Sequence, residues 1–255
     1  MKKIVRAKIL ENVKVSGEYR KLKILAPEIA KTAMPGQFLS LKIGNCLTPL
    51  LRRPMSIHKI KPPYLEILYK VRGRGTELLS KYKINDYLEI LGPLGTGFQT
   101  DGAFKTAILV GGGYGISPLL ALQDRLKKLN KNIITVIGAR SAKLVYKEGF
   151  INIKIATEDG SAGIKGLVTE VLDNTCCSLK VDAVVFACGP DKMLKAVSLV
   201  SQKHNIPCQV SMENLMACGV GVCLSCVCAV KKGLTNEYKR VCVEGPVFDS
   251  KEIAW

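Results

Sequence analysis

Four of the ten cysteines lie within eleven residues near the end of the chain, and this crowding restricts the possible folds more than any other feature. Cys218, Cys223 and Cys226 follow the spacing C-x4-C-x2-C, and Cys242 comes after fifteen intervening residues. Thiols this close together form disulfides, bind zinc or hold an iron–sulfur cluster. A loop around a cluster must turn tightly, and the two glycines between the first two cysteines allow such a turn.

The chemical state of the cysteines depends on the compartment. The N-terminus, MKKIVRAKILENVKV, is basic but has no uninterrupted apolar core, so it does not have the pattern of a signal peptide. The best apolar run, VDAVVFACGP, is too short to span a membrane. We therefore expect a cytoplasmic protein without a membrane segment, in which cysteines are reduced or metal-bound. This expectation disfavours disulfides.

The cysteine spacing favours a 2Fe–2S cluster over zinc. C-x4-C-x2-C with a distant fourth cysteine is the spacing of plant-type ferredoxins, whereas zinc sites usually contain C-x2-C pairs. Cys228 complicates the choice because it could replace Cys226, but the two-residue gap fits Cys226 better. The predicted cluster ligands are Cys218, Cys223, Cys226 and Cys242.

The chain is strongly basic, with 38 lysines and arginines against 21 acidic residues and a net charge of +17. Such a charge raises the possibility of a nucleic-acid partner. The lysines are scattered, however, and only RLKKLNK forms a cluster, which is typical of the solvated end of a helix. Because no aromatic or helical recognition motif accompanies the charge, we expect no nucleic-acid binding.

Two sequence patterns divide the chain. Up to about residue 99, short segments rich in Ile, Leu, Val and Tyr are separated by turn sequences, which predicts an antiparallel barrel or sandwich. From about residue 103, apolar strands alternate with amphipathic helices, which predicts a parallel sheet. In the first of these helices we expect Ser117 to be the N-cap and Pro118 the first helical residue. Residues 213–255 show neither pattern.

Several glycine- or arginine-rich stretches are candidate phosphate sites. In LVGGGYGISPLL, glycines end a strand and open a helix, which suits a phosphate, although close packing of helix on strand requires the same glycines. CGP, starting at Cys188, follows a buried strand at the sheet edge where ligands bind, although a simple turn would look the same. RRPMSIH and VRGRGTELLS place arginines and glycines beside hydroxyls, as surface turns also do.

No acid–base or nucleophilic arrangement is evident, so the predicted catalytic set is empty. Neither His58 nor His204 is completed to a triad by a cysteine or carboxylate, and His204 is expected at an exposed helix end. The cysteines outside these motifs are expected to be small, mostly buried apolar residues: Cys46, Cys176, Cys177 and Cys208.

Taken in order, the motifs RPMS, GRGT, GPLG, GGGYGISPL, CGP and the cysteine loop resemble the ferredoxin–NADP reductase superfamily over essentially the whole chain. Within it, MENLMACGVGVCLSCVCAV and the closing RVCVEGPVF resemble the electron-transfer subunits of dihydroorotate dehydrogenase B. The resemblance implies a mixed β and α/β fold of three domains: an antiparallel FAD-binding β-barrel (1–100), a parallel-sheet NAD-binding domain (101–212) and a small 2Fe–2S domain (213–255).

The resemblance also implies which residues bind the cofactors. Arg53 is implied at the flavin pyrophosphate and Ser56 near flavin N5. Met55 stands where many members have an aromatic residue, so a stacking role is not transferred. The full implied set for FAD and the nicotinamide nucleotide is Arg53, Pro54, Met55, Ser56, Lys70, Val71, Arg72, Gly75, Thr76, Gly111, Gly113, Gly115, Cys188 and Gly189.

In the implied reaction, a partner subunit carrying FMN oxidises dihydroorotate in pyrimidine biosynthesis, and electrons pass through the 2Fe–2S cluster and FAD to NAD. Two copies of each subunit would form a heterotetramer. Two rivals stay open: the small subunit of an NADH-dependent ferredoxin–NADP or sulfide oxidoreductase, and a zinc-stabilised basic binding module. The choice between NAD and NADP also stays open, because Arg140 could meet a 2′-phosphate and no ribose-binding acid is evident.

Overall fold

The computed structural model describes residues 2–44, 48–179 and 182–255. Within these ranges the strands are β1 (Lys3–Ser16), β2 (Tyr19–Leu25), β3 (Phe38–Lys42), β4 (Arg53–Ser56), β5 (Lys59–Lys61), β6 (Tyr64–Lys70), β7 (Tyr87–Leu94), β8 (Thr106–Gly112), β9 (Asn132–Ala139), β10 (Ile153–Thr157), β11 (Ile164–Lys165), β12 (Ala183–Cys188), β13 (Cys208–Ser211), β14 (Val227–Lys232), β15 (Thr235–Arg240) and β16 (Val247–Asp249). The helices there are α1 (Pro27–Ala30), α2 (Arg74–Ser80), α3 (Leu119–Lys128), α4 (Val168–Ser178) and α5 (Asp191–Lys203).

The first seven strands form an antiparallel sheet in the order β4-β3-β7-β1-β2-β6-β5. Its edges meet just after β4, where Ile57 N donates to Gln37 O at 3.1 Å and His58 N donates to Glu66 O at 2.8 Å. The sheet therefore closes into a barrel, whose interior is filled by alternate apolar side chains of the strands. The predicted antiparallel barrel is confirmed.

The second sheet has the order β11-β10-β9-β8-β12-β13-β16 and is parallel except for the β13–β16 pair. Every residue of β8 is buried, because α3 covers one face of the sheet while α4 and α5 cover the other. Alternate side chains of β8 enter the two cores, with Leu109 on the α3 side and Ile108 on the opposite side. The predicted parallel sheet is confirmed.

The C-terminal segment contains strands that the sequence patterns did not reveal. β14 and β15 form an antiparallel hairpin, and β16 pairs antiparallel with β13 at the edge of the second sheet. Cys226 and Cys242 flank the hairpin and belong to the same hydrophobic core as Phe248 of β16. The cysteine loop is thereby attached to the parallel sheet by long-range contacts.

The start of α3 differs from the prediction. A short 3₁₀ turn over Gly113–Ile116 precedes the helix, and Pro118 is its N-cap, with no side-chain capping bond. The Ser117 hydroxyl donates instead to Leu68 O in the barrel, at 3.4 Å. The predicted N-cap was therefore wrong, because a tertiary contact uses the hydroxyl. Among the described helices, none is long and apolar enough to cross a membrane.

His58 lies in the contact between the barrel and the parallel-sheet layer. It is fully buried, its Nδ1 lies 2.7 Å from Ser117 O, and its ring meets the Tyr146 ring edge-on at 5.6 Å. Its Nε2 has no partner among the described residues. Burial lowers the pKa of His58 from 6.5 to about 4, so the imidazole is neutral at physiological pH.

We expect this buried histidine to destabilise the protein in acid. Between pH 6.5 and about pH 4 the unfolded chain binds a proton that the folded chain refuses, so stability present above pH 6.5 falls with pH. The shift corresponds to roughly 3 kcal/mol, or about 6–10 °C in melting temperature. Between pH 7 and pH 4.5, wild type should lose most of this additional melting temperature relative to His58→Gln. Equal losses in both proteins would contradict the prediction.

Candidate functional site

A cavity of about 250 Å³ lies where the barrel, the parallel sheet and the C-terminal segment meet. Its wall includes the following members of the predicted cofactor set: Pro54, Met55, Ser56, Lys70, Arg72, Thr76, Gly115, Cys188 and Gly189. The other predicted residues are outside the wall: Arg53, Val71 and Gly75 directly adjoin wall residues in the chain, Gly113 adjoins the wall residue Tyr114, and Gly111 lies two residues earlier. The structure thus brings motifs from two sheets to one place.

Arg53 and the loop before α2 form a positively charged ledge beside the cavity. The Arg53 side chain crosses Gly75 so closely that a Cβ there would lie 2.7 Å from Arg53 Nε. The Thr76 hydroxyl holds the loop, accepting from Arg72 N at 2.9 Å and from Gly73 N at 3.2 Å. Among the described residues no carboxylate pairs with Arg53 or Arg72. Both charges are therefore available to an anion such as a pyrophosphate.

The glycines of the turn after β8 have two different roles. Some allow close packing of the backbone, and one leaves the space beside the backbone empty. A Cβ on Gly115 would collide with the backbone of Cys188 and Gly189, and one on Gly111 would collide with Ile116. Gly113 has φ +55°, and a Cβ built on it would have no heavy atom within 4 Å. Close packing therefore accounts for Gly111 and Gly115, whereas Gly113 leaves room for a ligand to approach the backbone.

Two residues of the cavity wall, Tyr114 and Glu213, were missed by sequence reasoning. Tyr114 Oη donates to Glu213 Oε2 at 2.7 Å, and the Arg72 guanidinium lies 5.6 Å from the centre of the Tyr114 ring. Burial, with the bond to Glu213, raises the pKa of Tyr114 to about 12. Ninety-nine positions separate the bonded pair, so a tyrosine among glycines was the only indication in the sequence.

The four predicted cluster cysteines form two thiol pairs. The thiols of Cys218 and Cys223 lie near enough to interact, and so do those of Cys226 and Cys242. The second pair is buried, whereas Cys223 is exposed. Val220 N and Cys223 N donate to Cys218 Sγ at 3.4 and 3.5 Å, and these bonds lower the pKa of the Cys218 thiol to about 6. Cys218 is therefore mostly thiolate at neutral pH, as a metal ligand must be.

This pairing fits two iron atoms better than one zinc ion. A tetrahedral zinc ion with bonds of about 2.3 Å places all its sulfurs within about 3.8 Å of one another. In the part of the chain that the structure describes, no three of these thiols lie mutually within 4.8 Å. Two separate pairs suit a 2Fe–2S cluster, in which two thiolates bind each iron.

The other cysteines differ in their surroundings. Cys228 is partly buried on β14, where burial raises the pKa of its thiol. Cys176 and Cys208 are buried as predicted, but Cys177 is exposed, so that expectation was wrong; Cys46 lies outside the described residues. His204 lies at a helix end as predicted, but it is half-buried. Asp173 and Cys177 lie beside it, a neighbourhood that the sequence analysis did not foresee.

Solved structures place the fold among the ferredoxin reductases. The NADH-dependent reduced ferredoxin–NADP oxidoreductase superposes with a TM-score of 0.87 at 30% identity, covering 98% of this chain and 90% of that chain. Phthalate dioxygenase reductase shares the fold with a TM-score of 0.66 at 17% identity, over 90% and 87% of the two chains. The fold and the thiol pairs define an oxidoreductase of the ferredoxin-reductase class.

Sequence comparisons identify the family within this class of oxidoreductases. Residues 213–254 match the sequence model of the iron–sulfur cluster binding domain of dihydroorotate dehydrogenase B. The electron transfer subunit of dihydroorotate dehydrogenase B (NAD(+)) from Desulforamulus reducens is 37% identical over 100% of both chains. Its counterpart from Caldanaerobacter subterraneus subsp. tengcongensis is 40% identical over 98% of both. The chain belongs to the family of dihydroorotate dehydrogenase B electron transfer subunits.

Proposed function

We propose that this chain carries electrons to NAD from dihydroorotate, which is oxidised on a partner subunit that carries FMN. The arrangement of the four cysteines carries the proposal. The buried pair anchors a 2Fe–2S cluster in the protein, and the Cys218–Cys223 pair leaves its other side near the surface. The loop also contacts the barrel, since a Cβ on Gly219 would lie 3.7 Å from Ser40 Oγ of β3. A cluster held by these cysteines would therefore lie between the protein surface and the flavin-binding barrel.

The cofactor sites follow from the cavity and its charged ledge. We assign FAD to residues 1–100, with Arg53 and Arg72 on its pyrophosphate and Met55 and Ser56 beside its ring. We assign NAD to residues 101–212, where Gly113 and Cys188 would lie beside the bound nucleotide. Residues 213–255 then hold the cluster. Bound FAD supplies the exchange between single-electron transfer to the cluster and hydride transfer to the nicotinamide.

Dihydroorotate itself is assigned to the partner, because the cavity offers no suitable base. Oxidation of this substrate requires a group that removes a proton near neutral pH. Desolvation raises the pKa of the Cys188 thiol to about 12, and the pKa of Tyr114 is also about 12. Glu213 is occupied by Tyr114, and Lys70 is ion-paired with Glu18.

The partner is expected to bind over the surface beside Cys223. Three apolar side chains near it are largely exposed: Leu215 by 83%, Val222 by 81% and Leu224 by 60%. Grouped exposed apolar side chains mark protein interfaces, and an interface here would bring the partner's flavin close to the cluster. We assign the complex to the cytoplasm as a heterotetramer with two copies of each subunit.

Flavin retention tests the cofactor assignment. Wild-type protein should show flavin and 2Fe–2S absorption bands, whose absence would favour a zinc-binding module. Arg53→Ala should bind FAD roughly 10- to 150-fold more weakly, because a charge-assisted bond contributes about 1.5–3 kcal/mol. The measurement is the fluorescence of FAD released on dilution. Arg52→Ala is the matched control. Because the Arg52 side chain pairs with Glu89, we expect the Arg52→Ala variant to retain FAD. Wild-type retention in Arg53→Ala would contradict the assignment.

A second candidate function is that of the NADH-dependent reduced ferredoxin–NADP oxidoreductase, a protein studied for flavin-based electron bifurcation. The observation that favours it is the TM-score of 0.87 over 98% of this chain. This chain would hold the same FAD and 2Fe–2S cluster in either function, so absorption spectra do not distinguish the two functions. Electron transfer from an added dihydroorotate dehydrogenase subunit distinguishes the two functions.

A further inference from the structure

Three side chains of different ligand chemistry meet where α4 and α5 end, outside the cavity and the cysteine loop. Asp173 and Cys177 lie one turn apart on α4, so their side chains share a face of that helix. His204 follows the last residue of α5, which packs against α4. Neither the proposed electron transfer nor the family assignment gives these residues a role.

The ligand atoms converge on one point. His204 Nε2 lies 2.6 Å from Asp173 Oδ1 and 3.9 Å from Cys177 Sγ, and all three ligand atoms lie within 4.8 Å of one another. Both contacts use the same ring nitrogen. In a nucleophilic relay the cysteine and the carboxylate would instead bind opposite nitrogens of the imidazole. The geometry is therefore not that of a nucleophilic relay; instead, all three ligand atoms face one point.

We propose that Asp173, Cys177 and His204 bind a zinc ion, with a water molecule as the fourth ligand. Thiolate, imidazole and carboxylate are the three groups that zinc accepts in proteins. Zinc bonds of about 2.0–2.3 Å set the sulfur and nitrogen about 3.6 Å apart and the nitrogen and oxygen about 3.4 Å apart. The two distances from His204 Nε2 would change by less than about 1 Å, and zinc would replace the proton between His204 and Asp173.

The surroundings leave room for the ion and for its fourth ligand. Cys177 and His204 line a surface groove that continues past Asn205 to Phe104, so water can reach the open position. Lys203 Nζ lies 2.9 and 3.0 Å from the two carboxylate oxygens of Asp173, but its side chain is 62% exposed and can turn into solvent. Lys203 therefore competes with zinc for Asp173.

The test uses holoprotein with FAD and cluster intact, treated with a mild chelator and titrated with Zn²⁺ in a calorimeter. Wild type should bind one zinc ion per chain, and zinc should slow alkylation of Cys177 by iodoacetamide, followed by peptide mass spectrometry. Cys177→Ser and His204→Gln should bind zinc roughly 100-fold more weakly or not at all, because even a residue supporting a ligand contributes 10- to 100-fold. Cys176→Ala removes the buried neighbouring thiol and should bind as wild type does.

The Lys203→Ala variant should change the zinc affinity in the opposite direction to Cys177→Ser and His204→Gln. Removing the competing ammonium should tighten zinc binding, which a cluster that merely forms ion pairs would not show. The proposal is overturned if wild type binds no zinc, or if binding persists in both Cys177→Ser and His204→Gln. It is also overturned if zinc uptake bleaches the cluster absorption, because the ion would then occupy the other cysteines.

Discussion

Cys242→Ser is expected to lose nearly all of its 2Fe–2S cluster. Cys242 is fully buried and paired with Cys226, so a serine there leaves one iron with a single thiolate in a site that solvent cannot complete. Serine at Cys218, Cys223 or Cys226 should have a comparable effect. Iron and sulfide content, with the visible and electron paramagnetic resonance spectra of the reduced protein, measure the loss. FAD should stay bound and be reduced by NADH, because its proposed ligands lie in the barrel.

Cys228→Ser is the matched control for the cluster. Cys228 lies two residues after Cys226, but it packs partly buried on β14 and belongs to neither thiol pair. Its replacement should leave iron content and spectra close to those of wild type. A bleached cluster in Cys228→Ser together with an intact one in Cys226→Ser would reverse the ligand assignment.

The isolated chain is expected to reduce artificial acceptors with NADH but to show no dihydroorotate oxidation. The reason is the chemistry of the cavity wall, where the pKa values of Tyr114 and Cys188 are both about 12 and Glu213 is hydrogen-bonded. Stopped-flow absorption of the flavin under anaerobic conditions, with dihydroorotate or NADH as the reductant, measures both halves of the prediction. Flavin reduction by dihydroorotate in the isolated chain would contradict it.

Addition of the FMN-containing dihydroorotate dehydrogenase subunit should restore the full reaction, so that dihydroorotate reduces NAD. The same mixture with Cys242→Ser should lose this coupled reaction while NADH still reduces an artificial two-electron acceptor. A Leu224→Glu variant, which places a charge on the apolar surface beside Cys223, should weaken the complex without altering the spectra of the isolated chain. If the cognate subunit does not couple, the ferredoxin–NADP oxidoreductase function becomes the better description.

The sequence was most informative where chemistry depends on local spacing. The gaps between Cys218, Cys223 and Cys226 are fixed by the covalent chain, and together with the later Cys242 they predicted the four cluster ligands. The alternation of apolar residues before residue 99 and the strand–helix pattern after residue 103 predicted both sheets, because periodicity reflects which faces are buried. Ser117 shows where prediction from local sequence fails. It has the sequence context of an N-cap, but its hydroxyl donates to Leu68 O in the barrel instead.

The sequence alone thus determined the fold class, the family resemblance and the candidate ligands, because strand periodicity, glycine turns and cysteine spacing are properties of short segments. The tertiary structure alone decided which residues meet. Tyr114 contacts Glu213 from ninety-nine positions away, β16 completes a sheet begun by β8, and Asp173 meets His204 from thirty-one positions away. The physical reason is that these contacts depend on how the layers pack, and no local pattern specifies the register between segments so far apart.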